Sequence, residues 1–287
     1  MSGEVEIALH PVVEAGHKGE TLSWLGARRT LARLLARLLR VTPCGWDDLD
    51  AELDRCAAPI QFWWRDDDAV AATPALSTLL DLRAELALPL ALAVIPAGAE
   101  KSLAARLFGE SSVAVLQHGW NHENHAPAGT PRSEFPPGRK PAAMVRAQLT
   151  EGRRRLEDLF GPRFVAALVP PFNALAGDAV DAVRASGLLH LSLATDFAGL
   201  ALPSRNVHVD LIDWRAIRAV PVADTVRPLV LALMLRRFGV TPRACPIGIM
   251  THHLVHDGAI WSLARDLLSR LKAHRNAVFA PVESIFS

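Results

Sequence analysis

Short apolar runs separated by amphipathic helical stretches recur along this chain, and that alternation leaves few folds open to it. Residues 60–64, 89–95, 113–117, 164–169, 189–193, 207–211, 247–251 and 277–279 read as short buried strands. Helical periodicity fills the intervals at about 74–87, 99–108, 142–160, 178–186, 224–238 and 261–273. A strand, a helix and a second strand in succession make a right-handed crossover, so the sheet is expected to be mainly parallel. Seven or eight such units favour a distorted (β/α)7-8 TIM-like barrel over an open sheet, and 287 residues suit one such α/β domain. A long polar loop carrying Gly119, Pro127, Gly129, Pro131, Pro136, Pro137 and Gly138 interrupts the pattern before the helix at 142.

Residues 1–58 stand outside the alternation and form an expected N-terminal helical extension to a barrel domain at 59–287. Residues 1–25 lack periodicity and are expected to be irregular. Over residues 28–40, Leu31, Leu34, Leu35, Leu38 and Leu39 share one helical face, while Arg29, Arg33, Arg37 and Arg40 share the other, without a single acid. Such a helix suits peripheral contact with an anionic membrane surface, or packing on the main domain with a solvated arginine face. Trp46, Leu49, Leu53 and Cys56 space a second helix that ends before Pro59.

A formal net charge of +1 excludes nucleic-acid binding by bulk electrostatics. Cys44, Cys56 and Cys245 are odd in number and lack paired metal spacing, which argues for a reducing compartment. The start has no basic stretch followed by an apolar one, and no apolar run reaches membrane-spanning length, so no transmembrane segment and a cytoplasmic location are expected.

Polar clusters fall at the carboxyl ends of the strands, where α/β barrels put their chemistry. Arg65, Asp66, Asp67 and Asp68 follow the first strand, and three adjacent carboxylates repel unless a divalent cation or an arginine relieves them. The alternative is a solvated acidic turn capping the next helix. His118 and His122 follow the third strand four residues apart, and with one aspartate they make a two-histidine, one-carboxylate set that leaves coordination positions open. His125 is expected to line the cleft. Pro170, Pro171, Phe172 and Asn173 form a stiff loop that could present the Phe172 N–H and the Asn173 amide to a ligand. Asp210, Asp213 and Trp214 end another strand, and Thr251, His252 and His253 end the last well-defined one, where a histidine suits a proton donor.

With these motifs the chain resembles the polysaccharide deacetylase family, the carbohydrate esterases with a NodB-like domain, over roughly residues 59–286. Arg65-Asp66-Asp67-Asp68-Ala69 looks like the family's Thr-Phe-Asp-Asp-Gly motif, which makes Asp67 the base and Asp68 a metal ligand. The resemblance makes His118 and His122 the other ligands and His252 the catalytic acid. The extra acid Asp66 and the extra histidine His253 leave both assignments open by one position. Val169 stands where the family has an arginine that orients the base. Strand alternation puts Arg65 on the face of Asp67, so Arg65 is expected to take over that role. The resemblance implies a zinc-dependent hydrolase, with Co2+, Ni2+ or Fe2+ as other candidate metals, that removes N-acetyl groups from a sugar or glycan precursor. Trp120, His125, Pro171, Phe172, Asn173, Asp213, Trp214 and His253 are the expected substrate contacts. In the cytoplasm, a nucleotide sugar, a lipid-linked precursor or an intracellular glycoside suits better than chitin or peptidoglycan. The competing readings are a sugar-binding barrel without turnover and a metal-dependent amidohydrolase acting on a non-sugar amide.

Overall fold

The computed structural model describes residues 22–194 and 202–287. In chain order the elements are α1 (Leu22–Val41), α2 (Trp46–Asp54), β1 (Ile60–Ala69), α3 (Pro74–Leu86), β2 (Leu90–Val94), α4 (Lys101–Leu107), β3 (Val113–His118) and α5 (Ala142–Phe160). They continue as β4 (Phe164–Val169), α6 (Val180–Ala185), β5 (His190–Leu191), β6 (Val207–Asp210), β7 (Ile212–Asp213), β8 (Arg218–Ala219), α7 (Val222–Arg237), β9 (Ile247–Thr251), α8 (Gly258–Ala273), β10 (Ala277–Phe279) and α9 (Val282–Ile285). Local chemistry sets several boundaries. The Thr73 side chain accepts the Leu76 N–H at 3.0 Å and Pro74 fills the first turn of α3, while Asp257 accepts the Ile260 N–H at 2.8 Å to start α8.

Seven parallel strands curl in the order β5-β4-β3-β2-β1-β9-β6. The two outer strands meet: Leu191 N–H donates to Pro203 O at 2.9 Å, Arg205 N–H to Leu191 O at 2.8 Å and Val207 N–H to Leu193 O at 2.8 Å. The expected parallel α/β barrel of the NodB type, with helices at its N-terminus, is therefore the fold observed. Phe62 pairs with both Phe279 and Ile247, so β10 lies on the edge of β1 opposite β9. Strand alternation sorts the apolar side chains into two layers. Phe62 and Trp64 point outward into the large core beneath the helices, and Trp63 points inward. The interior is narrow, so it is filled by Ala91, Ala93, Ala114 and Ala167, and Trp63 stacks edge-on at 5.4 Å against Phe286, which follows α9.

Helices α1 and α2 belong to the same core. Leu39, Leu49 and Leu53 are buried with Leu229 and Leu233 of α7, and Arg227 Nε donates to Leu39 O at 2.8 Å. The irregular segment expected at 1–25 lies mostly outside the described residues, and its end is helical because α1 begins at Leu22. The strand expected at 189–193 shortens to two residues. The β7–β8 hairpin and α9 carry no apolar periodicity long enough to announce them. Among the described residues no helix is long and apolar enough to cross a membrane.

Candidate metal centre and catalytic cleft

The carboxyl end of β1 supplies the centre of the site. Arg65 and Asp67 face the barrel interior, as alternation requires, and Asp66 faces the helices. Asp68 departs from the extended conformation with φ 71°, which brings its carboxylate round to the mouth as well. A single tetrapeptide thereby delivers a guanidinium and two carboxylates to one side of the sheet. The guanidinium grips Asp67 at two points, with Nη2 donating to Oδ2 at 2.9 Å and Nε 2.8 Å from Oδ1. It is itself fixed by Ser192, whose hydroxyl and carbonyl oxygens accept from Nη1 at 2.6 and 3.1 Å, and by Asn173 Oδ1, which accepts from Nη2 at 3.3 Å. Arg65 and Asp67 are thus in direct contact on the inner face of the sheet.

His118 and His122 reach Asp68 from the end of β3. Their Nε2 atoms lie 3.1 and 3.3 Å from Asp68 Oδ1, and the ligand atoms of all three residues fall within 4.8 Å of one another. His118 Nδ1–H donates to Val169 O at 2.9 Å, which turns Nε2 toward the cluster, as the ring of a metal-ligating histidine needs. Two imidazoles and a carboxylate converging on one point fit a divalent cation. Against the effect of its burial, Asp68 and Asp67 draw the His118 imidazole up. Burial pushes the Asp68 carboxyl up, but the hydrogen bond from His118 and the charges of His118, His252 and His122 outweigh it and hold it below the usual range. Burial and the neighbouring His118 push His122 down, which favours the neutral ring.

The opposite wall comes from β9 and the segment after β6. His252 Nε2 lies 3.9 Å from Asp67 Oδ2, and its Nδ1 lies 4.0 Å from Asp210 Oδ1. Trp214, 46% exposed, stands edge-on to His252 at 4.6 Å and donates its indole N–H to Asp210 Oδ2 at 2.7 Å. Burial pushes the Asp210 carboxyl up, partly offset by His252 and the indole. On the other side Phe172 (φ 60°) sets its ring 4.5 Å from His122, and Arg132 lies 4.1 Å above the same ring.

No protein-family model matches this chain, and no curated protein sequence does. Solved structures do. A Mycobacterium smegmatis protein assigned as a polysaccharide deacetylase is 15% identical, with 85% of this chain and 92% of that one covered at a TM-score of 0.53. A family 4 carbohydrate esterase from Streptococcus mutans is 13% identical, with 83% and 91% covered at 0.51. A family 4 acetyl xylan esterase from Clostridium thermocellum, in complex with a cobalt ion, is 13% identical, with 79% and 90% covered at 0.50. The fold is that of the polysaccharide deacetylases.

Within this deacetylase fold, several residues expected in the cleft have other tasks. His253 is 1% exposed and faces the helices, where its Nδ1 lies 2.5 Å from Asp66 Oδ1 and its N–H donates to Asp66 Oδ2 at 3.0 Å. That pairing removes it from the expected substrate contacts and leaves His252 alone at the mouth. Trp120 packs instead on the cluster around Phe135 and Leu149. His125 stays in the polar loop, 3.8 Å from Glu123. Asp213 turns back into the β7–β8 hairpin, accepting the Arg215 N–H at 3.1 Å and lying 3.4 Å from Arg218 Nε. Pro171 is buried over Gly119. Ser192, Asp210 and Glu134 are the residues that sequence reasoning passed over or left without a role. Only Asp210, an acid at a strand end, carried a signal.

Proposed function

We propose that this protein is a divalent-metal-dependent hydrolase that removes N-acetyl groups from a sugar or glycan precursor. The observation that carries the reading is the cluster of Asp68, His118 and His122 with the Arg65–Asp67 pair beside it and His252 across from it. The names of the fold's relatives, deacetylases and an acetyl xylan esterase, support the reaction class. A cation held by Asp68, His118 and His122, zinc by first choice, supplies Lewis acidity toward a water and the amide carbonyl. Asp67 accepts the proton of the attacking water, and Arg65 holds both of its oxygens in place while it does so. A backbone N–H near Phe172 faces the developing oxyanion. His252 protonates the leaving amine, because an amide anion is too poor a leaving group to depart unprotonated, and Asp210 steadies the imidazolium from which that proton is given. Trp214 and Phe172 wall the acetyl group, with Asn173 at the edge. Residues 59–287 are the hydrolytic unit, and residues 1–58 its extension.

The test is acetate release from a panel of N-acetylated sugars, nucleotide sugars and non-sugar amides, with metal content measured in parallel. Release from sugars is the expected result. Bound zinc without release assigns the barrel to sugar binding, and release from non-sugar amides alone makes it a general amidohydrolase.

A membrane contact through α1 is favoured by a specific arrangement. Leu34, Leu38 and Val41 are 56%, 57% and 81% exposed and share one stripe, while Ala32, Leu35, Ala36 and Leu39 are buried against the body. Arg33, Arg37 and Arg40 flank the stripe, all exposed, on a helix with no acid. An apolar stripe edged by arginines complements an anionic bilayer surface. Flotation with phosphatidylserine vesicles at low salt, lost on adding salt or in an R33E/R37E/R40E variant, is the expected outcome. A cytoplasmic location rests on three thiols that are all unpaired, and fractionation of the native cell tests it.

A further inference from the structure

Between the two histidine ligands the backbone makes a tight turn, and nearly every polar group of that turn is tied to a different part of the molecule. Gly119 N–H donates to Val169 O at 3.2 Å, and Gln117 Nε2 donates to Gly119 O at 3.0 Å. Ala97 N–H donates to Trp120 O at 2.9 Å. The N–H groups of Trp120 and Asn121 both donate to one carboxylate: Trp120 to Glu134 Oε1 and Oε2 at 3.1 and 3.2 Å, and Asn121 to Oε1 at 2.9 Å. Glu134 comes from the polar loop and is fully buried, at 0% exposure. Among the described residues it forms no ion pair, so its charge is held mainly by backbone donors. The approach is close enough that a Cβ on Gly119 would sit 2.0 Å from Glu134 Oε2 and 2.5 Å from Pro171 Cγ. Gly119 (φ 59°) and His122 (φ 60°) are both left-handed. Glycine adopts this conformation freely, but a histidine needs its surroundings to impose it.

A buried carboxylate is a costly way to cap a turn where a serine or asparagine would serve. Here its reach is what matters, because one oxygen, Oε1, fixes both of the peptide N–H groups that precede His122, beside the cluster of Asp68, His118 and His122. We propose that Glu134 is the positioning residue of the metal centre: it sets the turn from which His118 and His122 converge, and so sets the affinity and geometry of the bound cation. The inference rests on Asp68, His118 and His122 being metal ligands.

Two substitutions separate position from charge. Glu134→Asp keeps the charge but shortens the reach to both N–H groups. Glu134→Gln keeps an acceptor at the Oε1 position, which alone serves both donors, and removes the charge. Zinc affinity is measured by competition with a chromogenic chelator, and the coordination geometry is read from the visible spectrum of the cobalt-loaded protein. His118→Ala serves as the control that abolishes the site. The expected result is a zinc affinity lowered about 10- to 100-fold in Glu134→Asp, the usual range for groups that orient a ligand, with altered cobalt bands. Glu134→Gln loses less than about 10-fold, below that range, and keeps the wild-type bands. Two folded variants that bind both metals like wild type overturn the proposal, as does a Gln variant at least as impaired as the Asp variant. A wild-type chain that binds no zinc ends the metal-centre reading together with this one, whereas wild-type binding with indifferent Glu134 variants ends this one alone.

Discussion

Asp66 and Asp67 are adjacent, chemically identical and almost equally buried, at 0% and 2% exposure, yet they serve opposite sides of the sheet. On the outer side, Asp66 is saturated. It accepts from the Thr251 hydroxyl at 2.7 Å and the His253 N–H at 3.0 Å, with the His253 imidazole 2.5 Å away, while Trp64 Nε1 donates to the same Thr251 hydroxyl at 2.9 Å. Nothing of Asp66 is left for a substrate; it clamps the end of β9 to the end of β1. On the inner side, Asp67 is held by Arg65 and still has His252 across the cleft at 3.9 Å. The difference teaches that burial alone does not distinguish a structural acid from a candidate base. What matters is which face of the sheet the acid takes and what stands across from it there.

The sharpest way to break this contrast is to neutralise each acid in turn. Asp67→Asn should lower kcat for acetate release by about 10²–10⁴-fold, the usual contribution of a general base, and should also cost stability, because it leaves the buried Arg65 guanidinium without its counter-charge. Asp66→Asn should differ in turnover. Breaking its buried pair with His253 should cost about 3–5 kcal/mol in urea unfolding while folded enzyme retains most of its turnover. Equal effects of the two on turnover would erase the distinction. Arg65→Met, which removes the grip on Asp67, should lower turnover about 100-fold with zinc content intact, since Arg65 acts on the base and not on the ligands.

A weaker test lies behind His252, whose backbone N–H donates to His256 Nε2 at 3.2 Å. Burial pushes the His256 imidazole down to about 4 from an ordinary value of 6.5, against a smaller pull upward from Asp66. The unfolded chain therefore takes up this proton more readily than the folded one. The resulting stabilisation, roughly 3 kcal/mol, is complete above the unfolded value and is lost as pH falls toward 4. His256→Gln should flatten that part of the stability difference between pH 7 and pH 4.5, measured by urea unfolding with a chelator present. The smallest effect is expected of Trp214→Phe, which removes the indole donor to Asp210 and should raise KM by a few-fold, about 1 kcal/mol.

The barrel was legible because each strand is a short apolar run set off by proline, glycine or a helix start. Alternation along β1 was enough to place Arg65 beside Asp67, and the four-residue spacing of His118 and His122 brought both rings to Asp68 once the strand order was known. The third acid was not legible. Its partner His253 lies just past the end of another strand, and sequence cannot say which of two adjacent histidines turns inward. Trp120 and His125 misled for a related reason: they follow a ligand motif closely in sequence, but the turn through Gly119 directs them to a side core and to the loop. Glu134 gave no signal at all, because a glutamate in a proline-rich polar stretch looks solvated until the loop folds back over the turn.

The left-handed backbone of Asp68 limits what can ever stand there. A side chain at that position has to tolerate a conformation that few residue types accept and, for the proposed cation to be held there, has to present an anionic oxygen within one methylene of the chain. Glycine and asparagine meet the first demand and fail the second; glutamate meets the second only with a longer arm. The shape of the peptide chain and the donor that the proposed cation needs together narrow the permitted alphabet at this site to one letter.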